Sequence, residues 1–394
     1  MPAQRGSQVS TKPSVCFVAP SAPMVRALLG TGPAEAGGSQ LQLALLAREL
    51  RKRGWAVSFV VGDFGQGQRV VADGDIELIA CYGNTRVPKG LRLPLHRVPR
   101  MWRAVSKAGA DAYVCQGVGW EAGLVAAFCR VRGAKCVIRM GSAADPFFAD
   151  GEVSFIPRKD RLLSAYGLRH AHAVTAQTQE QLTMLHTRLG RQGVLLPNVW
   201  SVPDEVQAHN GEPRALWVGR IEGVKRPQML LDVAQRLQDI SFVMAGGRGR
   251  LRGDRFDAVQ TRARQIPNVV FRGFVPPSDL DAEYAAASVL VSTSEIEGFP
   301  NTFLQAWGHA RPVVSTYDPD QVLCRERVGF HCQSVEDVAG AVERLCRDRA
   351  EAAAMGARGR AYVQTHHSPE VVIPRLERIL YDALQAKRPR RKPL

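Results

Sequence analysis

Short apolar runs alternate with stretches of helical spacing along most of the chain, in two successive series. The first series opens with an apolar run over 14–19, followed by a Gly- and Pro-rich loop over 30–38. The segment 39–53 then places Leu41, Leu45, Leu46 and Leu50 at helical spacing and stops at Gly54, which predicts a helix. Further strands are predicted over 55–61, 112–116, 135–140, 173–176 and 193–196, with helices over 120–132 and 179–189. The pattern lapses into a polar, Pro-containing stretch over 197–213 and then resumes. Strands are predicted over 214–219, 240–245, 269–272, 288–292 and 312–315, a helix over 227–238, and an almost wholly helical end over 334–386.

Such alternation argues for parallel sheets with helices on their faces, here built twice without obvious identity between the halves. The fold class expected is α/β, two Rossmann-like parallel-sheet domains. The first covers 1–197 and the second 198–366, while a helix over 367–386 packs back across the first domain and a basic tail occupies 387–394.

Length and composition agree with two domains of an ordinary globular protein, since 394 residues carry 45% apolar and 23% charged side chains. No run of eighteen apolar residues occurs, and the polar start lacks a secretory leader's apolar core. A cytoplasmic protein is the expectation. The eight cysteines contain no Cys-x-x-Cys pair and are expected to be free thiols. Charge is the unusual feature: 52 basic against 37 acidic residues give +15, which favours an anionic partner. Lys387 to Lys392 is either a solvated end or a weak hold on an anionic membrane face. Nucleic acid is not expected, because no reader motif or stacking aromatic run accompanies the charge.

Ligands of open parallel sheets bind where strands end and helices begin, which selects a few segments. After the strand ending at Gly219, Arg220 and Lys225 precede a helix whose first turn carries Pro227. Two cations beside a helix N-terminus suit a diphosphate, although solvated surface cations would give the same spacing. In the second segment, Glu297 and Gly298 lie before a helix entered at Pro300, with Gln305 about two turns on. There Gly298 permits close approach to a ligand, and the amides of Phe299, Asn301 and Thr302 are free to meet phosphate oxygens. A capped core helix is the other reading. Gly246, in a glycine turn after a strand, is less diagnostic. In the first half, Gly37 and Gly38 open a helix and are able to approach phosphate. Neither a phosphate-loop Gly-Lys-Ser/Thr nor Gly-x-Gly-x-x-Gly is present, so ATPase and dinucleotide chemistry are not supported. The pairs Asp73/Asp75, Asp279/Asp281 and Asp318/Asp320 read as turn or helix caps before metal ligands.

Taken in order along the chain, these segments resemble the retaining GT-B glycosyltransferases of family 4. The resemblance rests on Gly37-Gly-Ser-Gln through Arg53-Gly54, on Gln177-Thr178 with Leu196-Pro-Asn198, on Val218-Gly-Arg220 with Lys225, and on Glu297 to Gln305. It implies that two domains face a central cleft, with donor sugar and nucleotide on the second and the acceptor on the first. Arg220 and Lys225 would neutralise the departing nucleoside diphosphate, Glu297 would hold donor-sugar hydroxyls, and position 305 would bind the ribose. No cofactor and no metal are expected. The partners implied are a UDP- or GDP-sugar donor and a saccharide or lipid-linked saccharide acceptor.

Two departures stand out. Gln305 occupies the place of the family's second glutamate. The segment after 135–140, where many members carry a histidine, reads Arg139-Met-Gly-Ser-Ala-Ala-Asp145, which leaves Asp145 or Ser142 as its substitute, or Asp145 as a turn cap. A nucleotide-sugar-binding scaffold and a GT-B epimerase therefore remain alternatives to a hexosyltransferase.

Overall fold

The computed structural model describes residues 13–20, 24, 38–72, 75–83, 88, 91–142, 145, 158–206, 211–249 and 256–386. Gly37, Asp73 and the basic tail 387–394 lie outside the described residues.

The first series forms an eight-stranded sheet. Its strands are β1 (Ser14–Ala19), β2 (Ala56–Asp63), β3 (Arg69–Ala72), β4 (Ile76–Gly83), β5 (Ala112–Gln116), β6 (Lys135–Arg139), β7 (Ala173–Ala176) and β8 (Val194–Leu195). They lie in the order β3-β4-β2-β1-β5-β6-β7-β8, all parallel except the β3–β4 pairing. Helices cover both faces, among them α1 (Gly38–Lys52), α2 (Val98–Ala108), α3 (Trp120–Arg132), α4 (Arg158–His170) and α5 (Gln179–Leu189). β1, β2, β5 and β6 are almost wholly buried, as strands covered on both faces must be, and this is why they read as continuous apolar runs.

The second series forms a six-stranded parallel sheet in the order β11-β10-β9-β12-β13-β14. The strands are β9 (Arg214–Val218), β10 (Ser241–Ala245), β11 (Val269–Gly273), β12 (Val289–Ser292), β13 (Val313–Ser315) and β14 (Gly329–His331). Between them run α6 (Pro227–Arg236), α7 (Phe256–Arg264), α8 (Pro277–Ala285), α9 (Asn301–Gly308) and the short α10 (Val322–Arg325). The helical end divides into α11 (Val335–Arg347), α12 (Arg349–His366) and α13 (Pro369–Gln385). α11 starts in a Ser334/Asp337 capping box.

α13 leaves the second domain and buries Val372, Ile373, Leu376 and Leu380 in the core of the first, beside Leu43 and Trp55. The Trp55 indole N–H donates to Glu377 at 2.8 Å, which fixes the docking register. Each fully buried aliphatic side chain there contributes about 1.5–3 kcal/mol.

The strands β3, β4 and β14 and the helices α2 and α4 were not marked by the sequence pattern. β3 is a half-exposed edge strand of four residues and β14 has only three, so neither has room for periodicity. Among the described residues no helix is long and apolar enough to cross a membrane. The eight cysteines are free thiols, seven of them buried.

Both sheets change winding direction once. β9 leads outward to β10 and β11, whereas β12 to β14 lie on its other side; β1 is placed in the same way between β2 and β5. The crevices at the carboxyl ends of β9/β12 and β1/β5 are therefore the switch points at which open sheets bind ligands.

Candidate active site

In the second domain the loop after β9 and the loop after β12 are laced together. The Trp217 indole donates to the Thr293 hydroxyl at 3.0 Å, and that hydroxyl donates to the Lys225 carbonyl at 2.6 Å. The Glu295 amide donates to the Val224 carbonyl at 2.8 Å. Arg226 sits in the left-handed region (φ 44°) and donates from Nε to the Thr293 carbonyl at 2.9 Å. A non-glycine residue there is strained by about 1–3 kcal/mol, and these crosslinks over-determine it. The result is a short 3-10 turn, Gly223–Lys225, that projects the Lys225 ammonium onto Glu297 Oε1. Arg220, two residues past the end of β9, pairs with Glu222 at 3.0 Å.

The glycines line the back of this crevice. A Cβ on Gly219 would stand 3.2 Å from the Trp217 ring, and one on Gly246 would strike the Gly219 carbonyl and meet Ile221 and Trp217 at 3.1 Å. Neighbouring strand ends are thus packed backbone to backbone. Tyr317 closes the far side, its hydroxyl donating to the Glu297 carbonyl at 3.2 Å. Burial, and then the carboxylates of Glu180 and Glu297, hold its phenol above the ordinary value, so it stays a donor.

The loop from Glu297 to Asn301 also meets the first domain. A Cβ on Gly298 would fall 2.6 Å from the Gly141 carbonyl and 2.7 Å from Gln177 Oε1. The Phe299 amide, expected to be free for phosphate, donates instead to Gln177 Oε1 at 2.8 Å. Asn301 spends its side chain between the domains: its Oδ1 accepts from Gln42 at 3.1 Å and Asn198 at 2.9 Å, and its Nδ2 donates to the Gly38 carbonyl at 2.8 Å. Asn198 also donates to the Phe299 carbonyl at 2.9 Å. Its own carbonyl receives His367 Nδ1 at 2.7 Å; burial holds that imidazole at about 4, hence neutral and able to donate there. Pro300 caps α9, and Thr302 lies in its first turn.

Gln305 is buried, with Oε1 accepting from the Tyr284 hydroxyl at 3.0 Å. A carboxylate would have one oxygen for Tyr284 and a second for a ribose, whereas the amide has one oxygen and an NH2. Asp145 is buried at the end of the first sheet, where its Oδ2 accepts from the amides of Gly141 at 2.5 Å and Ser142 at 3.2 Å. Burial pushes its carboxyl up to about 6 despite those two bonds. It folds the turn that carries Gly141 against Gly298.

Arg139 is fully buried, and its partners among the described residues are amide oxygens rather than carboxylates. It donates to Asn198 Oδ1 at 2.5 Å and Gln116 Oε1 at 3.2 Å, and burial lowers it to about 10. Of the aspartate pairs, Asp318 accepts from the Leu323 amide at 2.8 Å. Asp320 reaches across the cleft to accept from the first amides of α5, Gln179 at 2.8 Å and Glu180 at 3.0 Å. Both act as helix caps. Among the described residues no group of three His, Cys, Asp or Glu side chains stands in a metal-holding arrangement.

Lys225 and Glu297 are therefore in contact, with Gly219 and Gly246 at the neighbouring strand ends, while Gly298 meets Gly141 and Asn301 meets Gly38 of the first domain. Arg220 pairs with Glu222, and Asp145 is folded into its own turn. Gln42, Arg139, Tyr284 and Tyr317 are the polar residues that strand-end reasoning did not select. Only their burial next to other polar groups marks them, and that is a property of the folded chain.

Comparison with known proteins agrees with this geometry. A family described as glycosyl transferase 4-like domain matches residues 37–199, and one described as glycosyl transferases group 1 matches residues 212–348. No curated protein sequence matches the chain. Among solved structures, sucrose-phosphate synthase (tll1590) from Thermosynechococcus elongatus is similar with a TM-score of 0.78 at 18% identity, covering 94% of this chain and 98% of that one. Anabaena Alr3699/HepE in complex with UDP-glucose gives 0.71 at 15% identity, covering 94% and 100%. A glycosyltransferase from Rickettsia africae ESF-5 gives 0.68 at 15%, covering 95% and 100%. With a family match in each half and this two-sheet architecture, the chain belongs to the family 4-like group 1 glycosyltransferases and has their GT-B fold.

Proposed function

We propose that the protein transfers a hexose from a UDP- or GDP-sugar to a saccharide or lipid-linked saccharide acceptor, with retention of anomeric configuration and without a metal cofactor. The observation that carries this reading is the placement of Lys225 against Glu297 at the β9/β12 switch point, with Arg220 in the same loop after β9. A diphosphate in that crevice meets two cations on its oxygens, while the sugar beyond it meets a carboxylate. As the bond from the anomeric carbon to the diphosphate breaks, its electron pair passes to the diphosphate oxygen, and Arg220 and Lys225 stabilise the charge that develops. The acceptor hydroxyl attacks from the same face and gives its proton to the leaving phosphate. Glu297 holds sugar hydroxyls so that the anomeric carbon faces the acceptor. Solved relatives carry UDP and UDP-glucose, as in Anabaena Alr3699/HepE, which supports a nucleotide-sugar donor here.

The test is a thermal-shift screen of nucleotide sugars followed by turnover. A cognate donor at about 100 times its dissociation constant stabilises by about 2.7 kcal/mol. Slow sugar release from that donor, lost in Lys225→Ala and retained in EDTA, is the expected result, and NMR of the released or transferred sugar reports the anomer. Stabilisation by a donor with no turnover on any acceptor would leave a binding scaffold.

A further inference from the structure

The first domain carries a second distinctive surface, away from the donor crevice. Between Glu77 and Asp111 the chain has no carboxylate, and its described part there holds Arg92, Arg97, Arg100, Arg103 and Lys107 on the π-helical turn Arg92–Arg97 and on α2. α2 is strongly two-sided. Met101, Ala104 and Val105 are buried on the sheet, while Arg100, Arg103 and Lys107 face solvent. Leu91 and Leu95, one helical turn apart, are 51% and 66% exposed just before it. A shallow groove of about 510 Å³ runs along the outer side, with Val98, Pro99 and Trp102 as its apolar wall and Arg103 and Lys107 at its rim.

Buried and solvated faces alone would account for a two-sided helix, but not for leucines standing out among cations. A polynucleotide would meet the cations through its phosphates and leave the leucines in water. An anionic bilayer satisfies both, because cations sit over headgroups while apolar side chains enter the acyl boundary and tryptophan lies between. We propose that this surface docks the protein on an anionic lipid bilayer. Its location gives the docking a consequence. α2 follows the parallel strand β4, so its leading end stands at the carboxyl edge of the first sheet. The Arg97 guanidinium lies over the Tyr82 ring, 5.5 Å from its centroid, one residue before β4 ends. That edge also carries Gly38 and Gly141, so docking sets the rim of the cleft beside the membrane. Leu162, 66% exposed in the first turns of α4, projects from the same edge.

The experiment is co-sedimentation of the full chain with vesicles of phosphatidylcholine alone or with about 30% phosphatidylglycerol. It needs neither donor nor acceptor, so its outcome is separate from that of the donor assay. Binding is expected only to the anionic vesicles and is weakened by salt. Leu91→Ser/Leu95→Ser and, separately, Arg100→Ser/Arg103→Ser/Lys107→Ser are each expected to weaken it about tenfold or more, with melting unchanged because these side chains are exposed. Replacing Lys387, Arg388, Arg390, Arg391 and Lys392 by serine is expected to cost less than about threefold. Wild-type binding in the leucine variant, or complete loss in the tail variant alone, would overturn the proposal. So would tighter binding to a single-stranded oligonucleotide that the leucine exchange leaves unaltered.

Discussion

Lys225 and Glu297, 72 residues apart in the chain, form an ion pair where the loops after β9 and β12 converge. The pairing is a product of topology, since β9 and β12 are hydrogen-bonded neighbours and both loops leave the same sheet edge. If Lys225 acts on the departing diphosphate as proposed, Lys225→Ala is expected to lower kcat/KM by about 10²- to 10³-fold, in the range seen when one preorganised donor to a developing charge is lost. Steady-state kinetics with melting as a control checks this. A loss under about threefold would remove Lys225 from the reaction.

Gly298 and Gly340 make a matched pair of tests. A methyl group at 298 would lie 2.6 Å from the Gly141 carbonyl, a backbone atom of the other domain, whereas a methyl group at 340 in α11 meets nothing within 4 Å. Gly298→Ala is therefore expected to push the domains apart, costing about 1–3 kcal/mol together with most of the activity. Gly340→Ala is expected to stabilise by about 0.5–1 kcal/mol and leave turnover alone. Chemical denaturation and initial rates read both.

Strand ends, glycine turns and charged residues before helices are local features, so the second parallel sheet and the loops that leave its strand ends were legible in the sequence. What lies across the cleft was not. The Phe299 amide looked free because a helix N-terminus always offers unpaired amides. Its partner, Gln177, is 122 residues away. The same holds for Asn301 and Gln42, 259 residues apart. An aspartate such as Asp145, alone after a strand, has the same local spacing as a cap and as a ligand contact. Only its burial distinguishes it from a solvated turn residue.

Gln305→Glu tests whether position 305 meets the nucleotide. Tyr284 can donate to a carboxylate as well as to an amide oxygen, so the buried bond at 3.0 Å survives and the second carboxylate oxygen becomes available to a ribose. Affinity for the nucleoside diphosphate is expected to rise several-fold, by about 0.5–1.5 kcal/mol, while affinity for inorganic pyrophosphate stays unchanged. Calorimetric titration of both ligands is the check. Equal shifts for the two would place position 305 away from the ribose.

Asp145 carries a pH signature. Its carboxyl is pushed up to about 6 by burial, from an ordinary value of 3.8. The folded state thus binds this proton more tightly than the unfolded state does. The stability that proton binding contributes is complete below about pH 4 and is lost as pH rises through about 6. Asp145→Asn is neutral throughout and keeps an oxygen for the Gly141 amide. Its unfolding free energy relative to the wild type is expected to rise between pH 4 and pH 7 by about 2–3 kcal/mol. A pH-independent difference would mean that Asp145 titrates as an ordinary carboxylate.

Asn198 separates stability from positioning. Its Oδ1 accepts from buried Arg139, while its Nδ2 donates to the Phe299 carbonyl and to Asn301 across the cleft. Asn198→Asp keeps the acceptor and supplies a charge for the guanidinium, but removes both donors. The fold is expected to tolerate it, because a buried cation gains a counter-ion. The loop that carries Glu297 and Gly298, however, loses two of its ties to the first domain. Asn198→Ala instead leaves Arg139 Nη2 without its acceptor, Gln116 alone remaining to the guanidinium, and is expected to destabilise the protein by about 1–3 kcal/mol. With Asp at 198, melting should stay near that of the wild type while kcat falls about tenfold or more and KM for the donor changes little, since misplacement by an ångström acts on the reacting geometry before it acts on binding. Parallel loss of kcat and melting temperature in both variants would reduce Asn198 to a structural residue.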